Sequence, residues 1–490
     1  MRKPKITPPE RIVPDPNEIA RQSGLVTQVR EYELITPLFG GGTTSGEPDP
    51  VTVIRGTEIR GQLRFWWRAC RGGQSKFHRD MKAMKEEEDR IWGKAYKKGE
   101  EPVHHNEAVQ IMVHVVEEGT RVKPFEYQKD AKGQFIRDNR LKIKTRTNRD
   151  IPTYAAFSLQ PTDEECRQED PPPEKTVSKG VTFQLSITFP ESRKADIEAA
   201  LWAWETFGGI GARTRRGFGA LCCQSIEENG KAIPVDLSSA NMAQTIQWLR
   251  NKLIQHVTEG SWPAGVPYLA RQLTDHNFKP LVSRTSSDVY VVWNDLIDRL
   301  KAFRQARRQG RNQRPNQQGG RSQWPEPTAI RKLTGQSDRK FSDPIPEPPI
   351  HKFLRAVFGL PIIFQFKDSN KQHPDDKKSD PRKTVLQLEH YDRLASPLIL
   401  KPLACRSKTY LGLALILQGT GLREAQAAGE KQEHLVLKAQ EGAKMEQEVR
   451  AELESKEDLR LRLGAANREF SITSQTDALQ AFLTYLEGGK

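Results

Sequence analysis

The 490-residue sequence contains no window of about 18 consecutive apolar residues, so a membrane-spanning helix is not expected. Its opening, MRKPKITPPERIVPDP, carries basic residues without an apolar stretch, and neither export nor anchorage to a membrane is expected from it. Cysteine is scarce. Cys70, Cys166, Cys222, Cys223 and Cys405 form no C-x-x-C pair, and their odd number leaves one outside any intramolecular disulfide scheme. A reducing, cytoplasmic setting fits best. The vicinal Cys222 and Cys223 would point to opposite faces of a strand, unlike the convergent ligands of a zinc site, so no metal or cofactor is expected. Solenoid repeats are also missing.

What is present in excess is charge. Seventy-seven Lys and Arg stand against 63 Asp and Glu, a net charge of +14, which favours a polyanionic partner. The length allows two or three domains. Residues 1–30 read as a polar arm, followed by a strand at Tyr32–Thr36 and a Gly-rich turn at Gly40–Gly42. From Thr57 to Arg71 the apolar spacing predicts a helix with Ile59, Leu63, Trp66 and Cys70 on one side and Arg60, Arg64, Arg68 and Arg71 beside them. Strands are predicted at Val109–Val116 and Val181–Phe189, with charged, Pro-bearing loops between them. A helix over Glu191–Phe207, stopped by Gly208–Gly209, and a strand over Phe218–Ser225 follow.

That succession, strand, helix, strand, strand, helix, strand, predicts an α+β fold with a ferredoxin-like (RRM-like) β-α-β-β-α-β domain over 31–235. A second such domain is expected over 236–425, with a helix at Val289–Phe303 running into a basic loop near 304–340. It resumes at His351 and has strands at Leu398–Leu400 and Tyr410–Leu417. Residues 426–490 read as a charged helical tail ending in an amphipathic helix over Asp477–Leu486. Helical and loop insertions account for the remaining length.

The most informative segment is GGIGARTRRGFG, Gly208 to Gly219. A dinucleotide fingerprint runs from strand through glycine loop into helix, whereas this loop leaves a helix and cannot use that helix's N-terminal amides for phosphate. Its glycines at Gly209, Gly211 and Gly217 let backbone lie against backbone. Arg213, Arg215 and Arg216, beside Phe218, supply planar cationic forks suited to phosphate and to stacking on bases. The alternative is a tight turn with solvated arginines. A second basic element is Arg55, Arg60, Arg64 and Arg68. Arginines at i, i+4 and i+8 repel one another unless an anion or an acidic partner compensates them. Trp66 is expected in the core. Arg321, Trp324 and Arg331 flank the basic loop, where Trp324 can either stack on a base or anchor the loop to its own domain. The acidic runs Glu86–Asp89 and Asp163–Glu165 read as solvated faces.

The run Glu33–Phe39 (ELITPLF) followed by Ile59–Ala69 (IRGQLRFWWRA) resembles the opening of the first-numbered subunit of the Cmr complex, the type III-B CRISPR effector. The glycine loop is similar to the signature loop of the RAMP superfamily. GRSQWPEPTAIR (Gly320–Arg331), FGLPIIF (Phe358–Phe364) and RLASPLILKP (Arg393–Pro402) resemble later segments of that subunit. The resemblance implies two ferredoxin-like domains and a non-catalytic subunit that contacts the 3′ region of the guide RNA and the target RNA paired with it, in company with other Cmr subunits. The rival is a guide-RNA-processing ribonuclease of the same superfamily, which needs a general base, often His. None of the ten histidines lies inside either basic motif. His104 and His105 fall in a loop, and His114 reads as strand surface.

Overall fold

The computed structural model of the chain describes residues 24–42, 52–94, 108–137, 143–162, 165–239, 241–307, 322–336, 352–366, 380–381, 383–428, 433–439, 446–463 and 468–487. The N-terminal arm up to 23, His104, His105, Arg321 and most of the basic loop lie outside these residues.

Strand β1 (Leu25–Leu34) alternates strictly and turns Val26, Gln28, Arg30, Tyr32 and Leu34 inward. Helix α1 (Gly56–Arg71) buries Ile59, Leu63, Trp66 and Cys70, the predicted stripe, together with Trp67 and Ala69. Helix α2 (Met81–Trp92), capped by the Asp80 carboxylate on the Lys82 amide, packs beside α1. Strands β2 (Gln110–Glu117) and β3 (Thr182–Pro190), helix α3 (Lys194–Phe207) and strands β4 (Leu221–Glu228) and β5 (Lys231–Ile233) complete the first sheet. Its order is β2-β3-β1-β4-β5, with every pairing antiparallel. Helix α3 ends at Gly208, whose backbone is extended. A side chain there would meet the Trp66 indole nitrogen at 2.5 Å, so the residue is glycine because α1 and α3 cross closely. Between β2 and β3 the chain, read from sequence as loop, pairs Thr120–Val122 with Val177–Lys179 and Phe125–Tyr127 with Thr145–Thr147. Three-residue runs are too short for alternation to reveal.

Helix α4 (Met242–His256) leads to the second half. There β6 (Phe278–Ser286), β9 (Leu398–Cys405) and β10 (Thr409–Ile416) form a three-stranded sheet in the order β6-β10-β9, with helix α5 (Val289–Gln305) packed on it. Helix α6 (Glu326–Thr334) precedes β7 (Ile362–Phe364) and β8 (Thr384–Leu388), which join β11 (Leu435–Ala439) and β12 (Glu446–Val449) in a separate antiparallel sheet, β7-β8-β11-β12. The mixed α+β class holds.

The expected helical tail does not. Residues 435–473 supply four strands, the last two being the hairpin β13 (Asp458–Leu463) and β14 (Arg468–Thr473), before the terminal helix α7 (Ala478–Glu487). In both β13 and β14, short alternating runs with charged outer residues (DLRLRL, REFSIT) were masked by a Glu- and Lys-rich composition. Helix α7 buries Phe482, Leu483 and Leu486 in the same core as Trp293, Phe303 and Phe358.

Candidate nucleic-acid interface

The glycine turn is built by hydrogen bonds to the chain's own backbone. Ile210 N donates to Gly219 O (3.0 Å), Ala212 N to Phe39 O (2.7 Å) and Gly219 N to Pro37 O (2.9 Å). Gly209 lies against Gly219 in this clasp, where a side chain would meet the Gly219 carbonyl at 2.7 Å. Gly211 (φ 78°) and Gly217 (φ 83°) are left-handed. Side chains there would strike Phe39 O at 2.7 Å and the Trp293 indole nitrogen at 2.5 Å, so both glycines are demanded twice over, by φ and by space. The close backbone approach inferred from the sequence is thus met within the fold. Phe218 is fully buried between Phe39 and Trp293, with edge-to-face centroid separations of 5.0 and 4.7 Å, and presents no surface for a base.

The turn's arginines are placed differently. Arg213, itself in the left-handed region, donates Nη1 to Ala155 O (2.9 Å) and lies over the Phe39 ring. Arg215 donates to Ser396 O and covers the Phe65 ring of α1. Arg216 donates to Leu398 O (2.7 Å) on β9 and to Arg215 O (3.0 Å). Among the described residues no carboxylate bonds any of the three. Burial without a counter-charge lowers all three pKa values, and that of Arg216, with the Arg304 guanidinium nearby, is pushed down to about 9.

The arginine stripe of α1 is compensated from within. Arg64 donates to Glu88 (Nε, 2.5 Å), to Asp89 (2.8 Å) and to the Gly93 carbonyl, Arg68 donates to the other Glu88 oxygen (2.8 Å), and Arg60 donates to Trp92 O (2.7 Å). Glu87 and Glu88, taken as part of a solvated face, are 7% and 2% exposed, and they face α1 and its surroundings. The like-charge repulsion along the helix is therefore relieved by α2. Arg55, at the N-cap of α1, donates to Gly41 O (2.6 Å), and its Nε is buried without a partner among the described residues.

The turn and the first helix nevertheless meet. Glu58, in the first turn of α1, accepts the Gly211 amide at 2.7 Å, and burial raises its pKa, partly offset by that bond and by Arg55. Glu58 thus links the N-terminus of α1, with Arg55, to the glycine turn, whereas Arg60, Arg64 and Arg68 are turned toward α2.

Trp324 anchors the chain. It is 1% exposed, donates its indole N–H to Phe303 O (3.0 Å) and packs edge-on against Phe303, which removes the base-stacking alternative. Arg331 is held bidentately by Asp380 (2.7 and 3.0 Å). The open face of the first sheet, the surface an RRM uses for bases, carries Val29, Glu31 and Glu33 on β1, Gln184 and Ser186 on β3, and Met112 and His114 on β2. It has neither the aromatic platforms nor the cations that base stacking requires.

Arg304, which sequence reasoning saw only as the first residue of a basic loop, ends α5 instead. The signal was present in the helical spacing, since Trp293, Ile297, Leu300 and Arg304 recur on one face and that face packs on the glycine turn.

Residues 31–222 match the family model described as the RAMP superfamily. No curated protein matches the chain in sequence. Among solved structures the chain is similar to the apo crystal structure of Cmr1 from Pyrococcus furiosus (17% identity, 81% of this chain and 89% of that one, TM-score 0.41). It is also similar to chains of the type III-B Cmr-beta complex bound to cognate target RNA. One, from the complex with AMPPnP and single-stranded DNA present, shows 13% identity over 95% and 99% of the two chains (TM-score 0.44). The other shows 14% over 81% and 96% (TM-score 0.42). The RAMP superfamily resemblance carried by the glycine turn is thus borne out, the match spanning residues 31–222.

Proposed function

We propose that the chain is a non-catalytic RNA-binding subunit of a type III-B CRISPR effector (Cmr) complex, holding the guide RNA near its 3′ region, or the target paired with it, beside other Cmr subunits. Two ferredoxin-like domains carry this role, the second contributing β6, α5, β9 and β10 as its strand-helix-strand-strand portion. The observation that carries the proposal is the contrast between two arginine sets. Arg64 and Arg68 of α1 are neutralised by Glu88 and Asp89, whereas among the described residues Arg213, Arg215 and Arg216 hydrogen-bond only carbonyl oxygens. A guanidinium held by carbonyls keeps its full charge and its remaining N–H donors, and a phosphodiester supplies both the counter-charge and the acceptors. The +14 net charge acts in the same direction.

The test is the double variant Arg213→Ala/Arg216→Ala in the assembled complex. Guide-RNA binding should weaken roughly tenfold or more, with the log-log salt slope reduced by about 0.7 per lost phosphate contact. Unchanged RNA crosslinking and guided cleavage would remove the proposal. Incubation of the purified chain with precursor guide RNA should leave that RNA intact; specific cuts would make the chain a processing ribonuclease.

A further inference from the structure

The surfaces on which a base could be expected to lie are closed or bare. Phe218 and Trp324 are buried, and none of the five strands of the first sheet turns a Phe, Tyr or Trp toward its open face. Among the described residues two large aromatic side chains are exposed, Phe157 and Tyr391, and Phe157, at 65%, is the more exposed. Its own tight turn is held by the glycine turn, because Ala155 O, two residues earlier, accepts Arg213 Nη1 at 2.9 Å. The ring is displayed on a fixed mount. Ala155 N and Ala156 N both donate to Pro152 O (3.0 and 3.1 Å), and Leu159 N donates to Ala156 O (2.8 Å), so the chain from Pro152 to Leu159 runs as consecutive turns. Ala155, Ala156 and Leu159 sink into the same core as Phe39 and Phe218, yet Phe157 between them faces water. An aromatic ring fixed in this way loses little further freedom when a flat partner settles on it.

Resting on the RNA-binding proposal above, we infer that Phe157 is a base-stacking residue: one nucleotide of the bound strand lays its base on the exposed ring while its phosphate takes the remaining donors of Arg213. The two groups are within reach of one nucleotide. The Cα atoms of Ala155 and Phe157 are at most about 7.6 Å apart, two steps of the chain, and Arg213 sits on the Ala155 carbonyl with part of its surface in solvent. A base fits better than an apolar side chain of a protein neighbour, because the ring stands alone among polar groups. Ser158 beside it is exposed, Gln160 is half-buried, and the adjoining Arg213 is a cation. A base offers a flat face to the ring and brings a negative charge to the arginine on the same residue.

The test uses the full chain and a labelled, unstructured single-stranded RNA, with affinity followed by fluorescence anisotropy across a salt series. Phe157→Ala should lower affinity about tenfold, as the loss of one base stack does. Stacking releases no counterions, so the log-log salt slope should stay at the parental value, whereas Arg213→Gln/Arg216→Gln should reduce it by about 0.7 per lost phosphate contact. Phe157→Tyr keeps the ring and should bind within about twofold of the parent, while Phe157→Leu keeps apolar bulk without the ring and should be weakened like alanine. Parental affinity for Phe157→Leu together with a weakened Phe157→Ala would make the residue an ordinary apolar contact and overturn the stack. If Phe157→Ala matches the parent while the arginine variant is weakened, the inference fails and the RNA-binding proposal stands. If neither variant departs from the parent, the RNA-binding proposal falls and the inference with it.

Discussion

Lys401 shows how far a single buried group is set by its surroundings. It lies on β9, 1% exposed, and its ammonium donates to the Glu205 carbonyl at the C-terminal end of α3, tying the three-stranded sheet to that helix. Burial pushes its pKa down to about 7, with Glu205 and Cys222 opposing the shift. Between pH 7 and the ordinary lysine value of about 10.4, the unfolded chain binds a proton that the folded chain does not, so this residue makes stability rise with pH. The slope is at most about 1.4 kcal/mol per pH unit. Below pH 7 both states are protonated and the penalty of the buried ammonium is constant. Replacing Lys401 with Met should therefore raise the melting temperature most at pH 6 to 7. The gap from the parent should shrink toward pH 9. Calorimetric melts across that range decide it, and parallel curves would refute the assignment. Nothing in the sequence LILKPLAC marks the lysine as buried, because its burial is created by α3, nearly 200 residues earlier.

At the scale of elements, local periodicity made α1, α3, α5, β2 and β3 legible, since each buries a stripe or row whose spacing is its own signature, whereas β1 was placed at Tyr32–Thr36 and its start, Leu25–Arg30, was assigned to the polar arm because its inward row carries Gln28 and Arg30. The glycine turn was legible too, because a cluster of glycines and arginines leaving a helix has few physical uses. What could not be seen was which partner each charged residue takes. The arginine stripe of α1 and the acidic run of α2 were both visible, yet only the crossing of the two helices shows that they neutralise one another. The prediction is that Glu88→Gln is a stability variant. It removes the charge that holds Arg64 and Arg68, which keep 22% and 29% of their side-chain surface in solvent. The loss should therefore fall below the roughly 3–5 kcal/mol of a fully buried pair, at about 1–3 kcal/mol. Urea denaturation should show that drop, while the salt slope of RNA affinity stays at the parental value. A changed slope would mean that the α1 arginines do contact RNA.

At the scale of the whole molecule, the C-terminal hairpin and helix behave as structure rather than as an appended tail. Phe482 on α7 is fully buried, with ring centroids 5.3 Å from Phe303 and 6.1 Å from Phe358, and Tyr485 lies 5.6 Å from Phe303. Lys279 on β6 is bonded to Glu487 at the end of the same helix. Phe303 is the neighbour of Arg304, and Phe358 is the ring beneath the Arg304 guanidinium, so the terminal helix packs directly against the end of α5. Phe482→Ala leaves a cavity in that aromatic cluster and should cost about 3–5 kcal/mol in chemical denaturation. A loss of less than about 1 kcal/mol would restore the tail to the status of an appendage.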